Sequence, residues 1–383
     1  MSAAKPPAAA HKKRVDPRLV AMDRGEPILG PQTLHIDVTN GCNTNCVTCW
    51  DHSPLLQIGR SVAWKKQKID AAALACILND VAELGGLSAV ILSGMGEPFT
   101  HPEIYDMIAE VKRRGLHLTI ITNLVAADAQ RIVELGVDQL LIGIHGASES
   151  SYRSFHPNFV RDEWPRLLGM LQLFADHGRR YKHVHVICQT NAAELVEIVQ
   201  LGARYGAEQL NFKLASLREG TERIGITAEQ RLRLRSELIP LAIAEAARLG
   251  VPTNLAVFAQ QLAAGGDDTA PIADVGCFIG YTYSRILVDG TVLYCCNTEV
   301  RVGTLAEGAS FAELWRGPAW SALRARLRRG EYFDSCRQCG KFNQNVQLGR
   351  RFAQVYGEAR LYEITGRGPR LPKEDESHAP ADD

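Results

Sequence analysis

A repeat constrains this chain more than any other feature. Six strand-like apolar runs, at 34–38, 87–92, 116–121, 139–144, 183–188 and 209–214, alternate with helix-like amphipathic segments at 69–84, 102–114, 126–135, 163–177 and 192–205. Several of these segments run into a glycine (Gly85, Gly115, Gly136, Gly178, Gly206), the residue that most readily takes the left-handed conformation ending a helix. Strands that alternate with helices imply a parallel sheet joined by right-handed crossovers. The expected class is α/β, a partial (βα)6 TIM-like barrel of three-quarter closure, with a doubly wound sheet as the alternative. In both, ligands sit at the carboxyl ends of the strands.

The repeat occupies residues 32–265, after a polar leader over 1–31. A long helix over 227–249 follows the last strand, and Gly265-Gly266-Asp267-Asp268 marks a boundary. Residues 266–345 then form a small cysteine-rich α+β module with a hairpin signal at Val288-Asp289-Gly290-Thr291. Residues 346–383 are a tail, expected to be disordered from 366 onward, where proline and charge dominate.

Composition narrows the function. At 383 residues and 46% hydrophobic content, the chain can bury a large core without covalent staples. Lys plus Arg equals Asp plus Glu at 43 each, so no net field recruits nucleic acid or an anionic membrane. No apolar stretch suits an export signal or a membrane span, and a cytoplasmic protein is expected. Ten cysteines therefore need a reason other than disulfides, and they cluster.

Cys42, Cys46 and Cys49 form C-x3-C-x2-C directly after the first strand. A structural zinc wants four ligands; a cubane iron–sulfur cluster held by three thiolates leaves one iron open to a small molecule. A second set, Cys277, Cys295, Cys336 and Cys339, offers four thiolates, enough to close a zinc site or a cluster. Cys296 competes with Cys295, which the Gly290-x4-Cys spacing favours. Cys76 and Cys188 read as buried small hydrophobes. Arg324, Arg326, Arg328 and Arg329 read as a solvated helix face.

The loop Cys42-Asn43-Thr44-Asn45-Cys46-Val47-Thr48-Cys49 resembles the signature of the radical S-adenosylmethionine superfamily, and Ser93-Gly94-Met95-Gly96-Glu97-Pro98 resembles that family's glycine-rich segment. The family carries an aromatic residue before the third cysteine where this chain has Thr48; Trp50 follows instead. Membership implies a [4Fe-4S] cluster on Cys42, Cys46 and Cys49 whose open iron chelates S-adenosylmethionine. Reductive cleavage then yields a 5′-deoxyadenosyl radical that abstracts hydrogen from substrate, with flavodoxin or ferredoxin as electron donor. It further implies a cofactor-binding set of Gly94, Gly96, Glu97, Pro98, Thr122, Asn123, Gln189 and Asn191. His145, where relatives carry aspartate, and Lys213 at the end of the sixth strand are candidates for direct roles in catalysis. The C-terminal cysteines resemble the twitch form of the SPASM extension, which implies one auxiliary [4Fe-4S] cluster.

Three readings of function follow. The first is oxidation, dehydration or epimerisation of a carbohydrate-like small molecule. The second is modification of a ribosomally made peptide, although the 41 residues before Cys42 are too few for the leader-binding domain such enzymes often carry. The third, a metal-binding or electron-transfer protein without turnover, leaves the open iron and the glycine segment without a use.

Overall fold

A computed structural model describes residues 15–263, 272–305, 309–337 and 339–365. The linker glycines at 265–266 and the stretch 366–383 lie outside the described residues. One nine-stranded sheet organises the molecule, made of β1 Thr33–Asp37, β2 Ala89–Ser93, β3 His117–Thr122, β4 Gln139–Gly143, β5 Lys182–Ile187, β6 Gln209–Leu214, β7 Tyr283–Ile286, β8 Thr291–Leu293 and β9 Arg301–Thr304. Its order is β6-β5-β4-β3-β2-β1-β7-β8-β9. The first seven strands pair in parallel and the last two antiparallel. Within the six-strand repeat the order never reverses, as it would in a doubly wound sheet. Same-handed crossovers then put the intervening helices on one face. β1 is buried along its whole length, as suits a central parallel strand covered on both faces.

Local chemistry sets the helix ends. Asp70 accepts a hydrogen bond from the Ala73 N–H (2.6 Å) to start the helix Ala71–Glu83, and Asp128 caps Ala129–Glu134 in the same way. All five glycines expected to end helices have φ between +64° and +69°. The long helix is continuous but not uniform. A π-helical turn, Leu234–Leu238, joins Ala228–Arg233 to Ile239–Leu249. Pro240, just beyond, has no N–H to give the α-helical ladder, and the wider turn accommodates that loss.

The C-terminal part does not stand apart. β7 pairs with β1, from Thr33 opposite Tyr283 to Ile36 opposite Ile286, and β8 returns through the expected hairpin, with Gly290 at φ +80°. Beyond it, the helix Phe342–Tyr356 begins at the end of the expected module and, with Glu358–Thr365, runs through residues expected to form a tail. Their Leu348, Phe352, Leu361 and Ile364 pack on Leu19 and Met22 of the helix Pro17–Arg24. Arg351 pairs with Asp16 (2.8 Å) and Arg360 with Asp23 (2.6 Å) across the same contact.

Two expectations are corrected here. Cys76 is exposed, because Ala71–Glu83 turns Leu74, Leu78 and Val81 inward and Cys76 lies on the opposite side. Arg324 is fully buried: the helix Pro318–Arg328 turns Trp320, Arg324 and Leu327 inward. Its guanidinium lies 4.5 Å from the Trp315 ring centre and donates to the carbonyls of Gly280 (2.9 Å) and Trp315 (2.8 Å). Arg328 likewise donates to the Met22 carbonyl (2.7 Å) rather than facing only solvent.

Candidate functional site

The three-cysteine loop leaves the carboxyl end of β1, and the glycine-rich segment leaves the carboxyl end of β2 beside it. They fold as one unit. The Gly96 N–H donates to the Thr39 carbonyl (3.2 Å) and the Glu97 N–H to the Gly41 carbonyl (2.8 Å). A Cβ on Gly94 would stand 2.1 Å from the Thr39 oxygen, and one on Gly96 would stand 1.9 Å from the Gly41 oxygen. These glycines are therefore required by the backbone of the cysteine loop itself.

Glu97 is the hub behind the loop. One carboxylate oxygen accepts from the Thr122 hydroxyl (2.6 Å) and the Phe99 N–H (3.1 Å), the other from the Asn123 N–H (2.7 Å). Burial nevertheless pushes its pKa up to about 7. Pro98 opens the 3-10 turn Pro98–Thr100 that Glu97 caps. Asn123 passes the connection on, donating from its side chain to Asn43 Oδ1 (2.8 Å). Two predicted motifs thus meet through Thr122, Asn123 and Glu97.

Cys42, Cys46 and Cys49 are half-buried thiols. Burial pushes Cys42 up to about 12, and raises Cys46 and Cys49 as well; the negative charge of neighbouring thiolates adds to the shift at Cys42 and Cys46. Three crowded thiols with no cation resist ionisation, and a bound metal reverses that balance. The backbone is arranged for a thiolate at Cys49, whose sulfur accepts from the N–H groups of Asp51 (3.4 Å) and His52 (3.3 Å). Among the described residues no three His, Cys, Asp or Glu side chains gather as ligands of a single metal ion. A multi-iron cluster takes one thiolate per iron, so its ligands need not converge on a point, and an all-thiol set suits iron–sulfur chemistry.

A cavity of about 790 Å³ opens beside this loop. Its lining includes Trp50, Asp51 and Met95 together with Cys277, Cys295, Cys296, Cys336 and Cys339. Trp50 donates its indole N–H to the Ser216 carbonyl (2.6 Å) beneath the Arg218 guanidinium, 4.0 Å above the ring centre. Around the second cysteine set the Asn297 N–H donates to Cys295 Sγ (3.4 Å), and its side chain donates to Ser335 beside Cys336 (2.8 Å). Cys296 also belongs to this cluster: a Cβ on Gly340 would lie 2.8 Å from its sulfur.

The remaining predicted residues separate. His145 has φ +60° and accepts the Val186 N–H on Nδ1 (3.0 Å), leaving the proton on Nε2. A Cβ on Gly143 would stand 2.8 Å from that Nε2, so Gly143 makes room for the ring. Burial, then His156 and His185, hold His145 well below the usual histidine range. Asn191 is a backbone clamp, donating to the His145 and Val186 carbonyls (2.8 Å each) and accepting the Cys188 N–H (2.9 Å). Gln189 is exposed and bonds through its backbone to Ile224 and Gln230. Lys213 is exposed on the edge strand β6 and does not line the cavity.

Sequence reasoning missed the seam between β1 and β7. Arg285 donates twice to the buried Asp37 carboxylate (3.0 and 2.8 Å), and its guanidinium faces the cavity. Ser93 donates to Asp37 (3.4 Å) and also bonds His35, whose other ring nitrogen meets the Tyr283 hydroxyl (2.7 Å). An acid ending a strand that alternates polar and apolar residues yet is buried throughout is the feature of β1 that marks the seam.

Comparison with known proteins places these features. The Radical SAM superfamily profile matches residues 36–202, and the SPASM profile, an iron-sulfur cluster-binding domain, matches 277–340. The chain is 32% identical over 110 residues to the tungsten-containing aldehyde ferredoxin oxidoreductase cofactor-modifying protein of Pyrococcus furiosus, 27% of this chain and 28% of that protein. It is 23% identical over 336 residues to the PqqA peptide cyclase of Methylorubrum extorquens, 82% of this chain and 79% of the cyclase. The chain spans only 24–48% of the length of the first curated relatives it matches. Streptococcus suis SuiB, solved bound to precursor peptide SuiA, shares the fold at TM-score 0.58 and 16% identity, covering 80% of this chain and 70% of SuiB. Among the described residues no helix is long and apolar enough to cross a membrane.

Proposed function

We propose, for a chain that carries a radical SAM domain followed by a SPASM domain and is a radical SAM enzyme, that its substrate is a peptide segment entering the cavity between the two cysteine sets. Iron–sulfur and S-adenosylmethionine chemistry follows from the family. Cys42, Cys46 and Cys49 would hold the first [4Fe-4S] cluster, and Cys277, Cys295, Cys336 and Cys339 an auxiliary one. Bound there, the first cluster and S-adenosylmethionine supply a 5′-deoxyadenosyl radical able to take hydrogen from an unactivated carbon. The protein's own part is positioning and exclusion of water. Glu97, Asn123 and the two glycines fix the loop, Trp50 under Arg218 walls the cavity, and His145, outside the cavity lining, holds the Val186 N–H.

The observation that carries this reading is a single cavity lined both by Trp50 and Asp51, next to Cys49, and by the second cysteine set. The peptide is favoured over the carbohydrate-like substrate by two relatives. A peptide cyclase aligns along 82% of the chain, and SuiB, solved with a precursor peptide, has the same fold. Lys213, exposed on an edge strand, has no part in this reading. The electron donor would be a flavodoxin or ferredoxin.

The test is anaerobic reconstitution with S-adenosylmethionine and dithionite, reading 5′-deoxyadenosine against panels of synthetic peptides and of aminocyclitols and amino sugars. Stimulation by peptides, lost in Cys46→Ala, supports the proposal. Stimulation by the small molecules alone overturns the substrate class, and undiminished cleavage in Cys46→Ala overturns the role of the loop.

A further inference from the structure

Between Cys42 and Cys46 the chain runs through Asn43, Thr44 and Asn45, a spacer that makes no helix or strand. Its conformation sets the separation of two thiols, and it is held largely from outside. One residue 113 to 115 positions away does most of this. Asn158 Oδ1 accepts from the Asn45 N–H (3.0 Å) and from the Thr44 hydroxyl (3.2 Å), while Asn158 Nδ2 donates to the Asn43 carbonyl (2.8 Å). The Asn158 N–H returns a fourth bond, to Asn45 Oδ1 (3.1 Å). Two donors meet the amide oxygen and a carbonyl meets its nitrogen, so only one orientation of the amide serves all three side-chain contacts.

The clamp is itself rigidly mounted. Asn158 follows Pro157 in a turn closed by the Phe159 N–H donating to the His156 carbonyl (2.9 Å), with proline presetting the turn. Phe155, His156 and Phe159 on either side are buried; His156 packs its ring against those of Phe155, Phe159 and Tyr152, and Phe159 stacks on Tyr152. The Phe155 carbonyl accepts the Val47 N–H (3.0 Å), which extends the splint past Cys46. Asn158 itself is exposed. Its side chain therefore adds little apolar burial, and its hydrogen bonding is directed at the loop.

We propose that Asn158 is a positioning residue that holds the Asn43–Asn45 spacer, and through it the spacing of Cys42 and Cys46, in the form a metal cluster can occupy. The consequence for the cluster rests on the reading of the loop given above; the consequence for the loop does not.

The experiment uses the full chain with Asn158→Ala, Asn158→Asp and Asn45→Ala, singly and combined. In cluster-free protein, amides of residues 43–47 should exchange about tenfold faster in Asn158→Ala, with unchanged circular dichroism and unchanged exchange in the core strands. Asn158→Asp keeps both acceptor contacts and should fall between the two. Asn45→Ala combined with Asn158→Ala should cost less than the sum of the singles, since both break one clamp. In reconstituted protein, Asn158→Ala should lose iron from the three-cysteine loop to a chelator several times faster, while iron on the second cysteine set leaves at the wild-type rate. Wild-type exchange at 43–47, or loosening spread evenly over the chain, overturns the proposal. Faster loop exchange in a protein that never takes up iron would sink the cluster reading and leave the clamp standing.

Discussion

At the scale of single residues, the decisive facts are distances of closest approach. Gly96→Ala puts a methyl group 1.9 Å from the Gly41 carbonyl, where only backbone could yield. It should cost roughly 2 kcal/mol or more and lower iron uptake by the first cysteine set, read by iron analysis and thermal unfolding. Gly169 is the control: it lies inside the helix Glu163–Asp176, and an added Cβ would meet nothing within 4 Å. Gly169→Ala should stabilise by about 0.5–1 kcal/mol, the ordinary helix-propensity gain. The buried Asp37–Arg285 pair gives a second test. Asp37→Asn leaves the guanidinium without its counter-charge, and urea unfolding should show a loss of about 3–5 kcal/mol. A loss below 1 kcal/mol would mean that the seam is held by its backbone pairing alone.

At the scale of elements, periodicity located nearly every strand and helix of the repeat but not what each element meets. The helix Pro318–Arg328 shows the difference. Its arginines look like one charged face in the sequence, yet Trp320, Arg324 and Leu327 recur at the spacing of a buried stripe. The Trp315 and Trp320 rings and the carbonyls of Gly280 and Trp315 make Arg324 an interior residue. Arg324→Ala should therefore destabilise by about 3 kcal/mol, through lost packing and two lost hydrogen bonds. Arg329→Ala, in an exposed pair with Glu331, should stay within about 0.5 kcal/mol. Equal effects in denaturant titrations would contradict the burial of Arg324. The helix Glu149–Phe155 was not anticipated, because seven residues rich in serine carry too little apolar repeat to stand out. It nevertheless leads into the turn that grips the cysteine loop.

At the scale of the whole molecule, acid sensitivity follows from five inward histidines. Burial is the first cause that lowers His35, His145, His156, His183 and His185, with His156 and His183 each down to about 4. A histidine depressed in the fold contributes stability that is complete above its unfolded pKa near 6.5 and is lost as pH falls toward the folded value. His156 and His183 should each remove about 2 kcal/mol between pH 7.5 and 5, and His35, His145 and His185 act in the same direction. Glu97, raised to about 7, acts with the opposite sign and offsets about one of them. The urea midpoint should fall steeply below pH 6.5, and His183→Leu should flatten that dependence by about one proton; a midpoint flat from pH 7.5 to 5 would refute it. What the sequence determined by itself was whatever depends on neighbours along the chain. The period of strand and helix, the terminal glycines, and the spacing of Cys42, Cys46 and Cys49 are all local, because backbone geometry repeats every few residues. Tertiary structure alone decided which distant groups share a site. Asp37 meets Arg285 across 248 positions, and Asn158 meets Asn45 across 113. Such pairs depend on strand order and on which face a side chain takes, and those are settled by burying one common core rather than by any short stretch of residues.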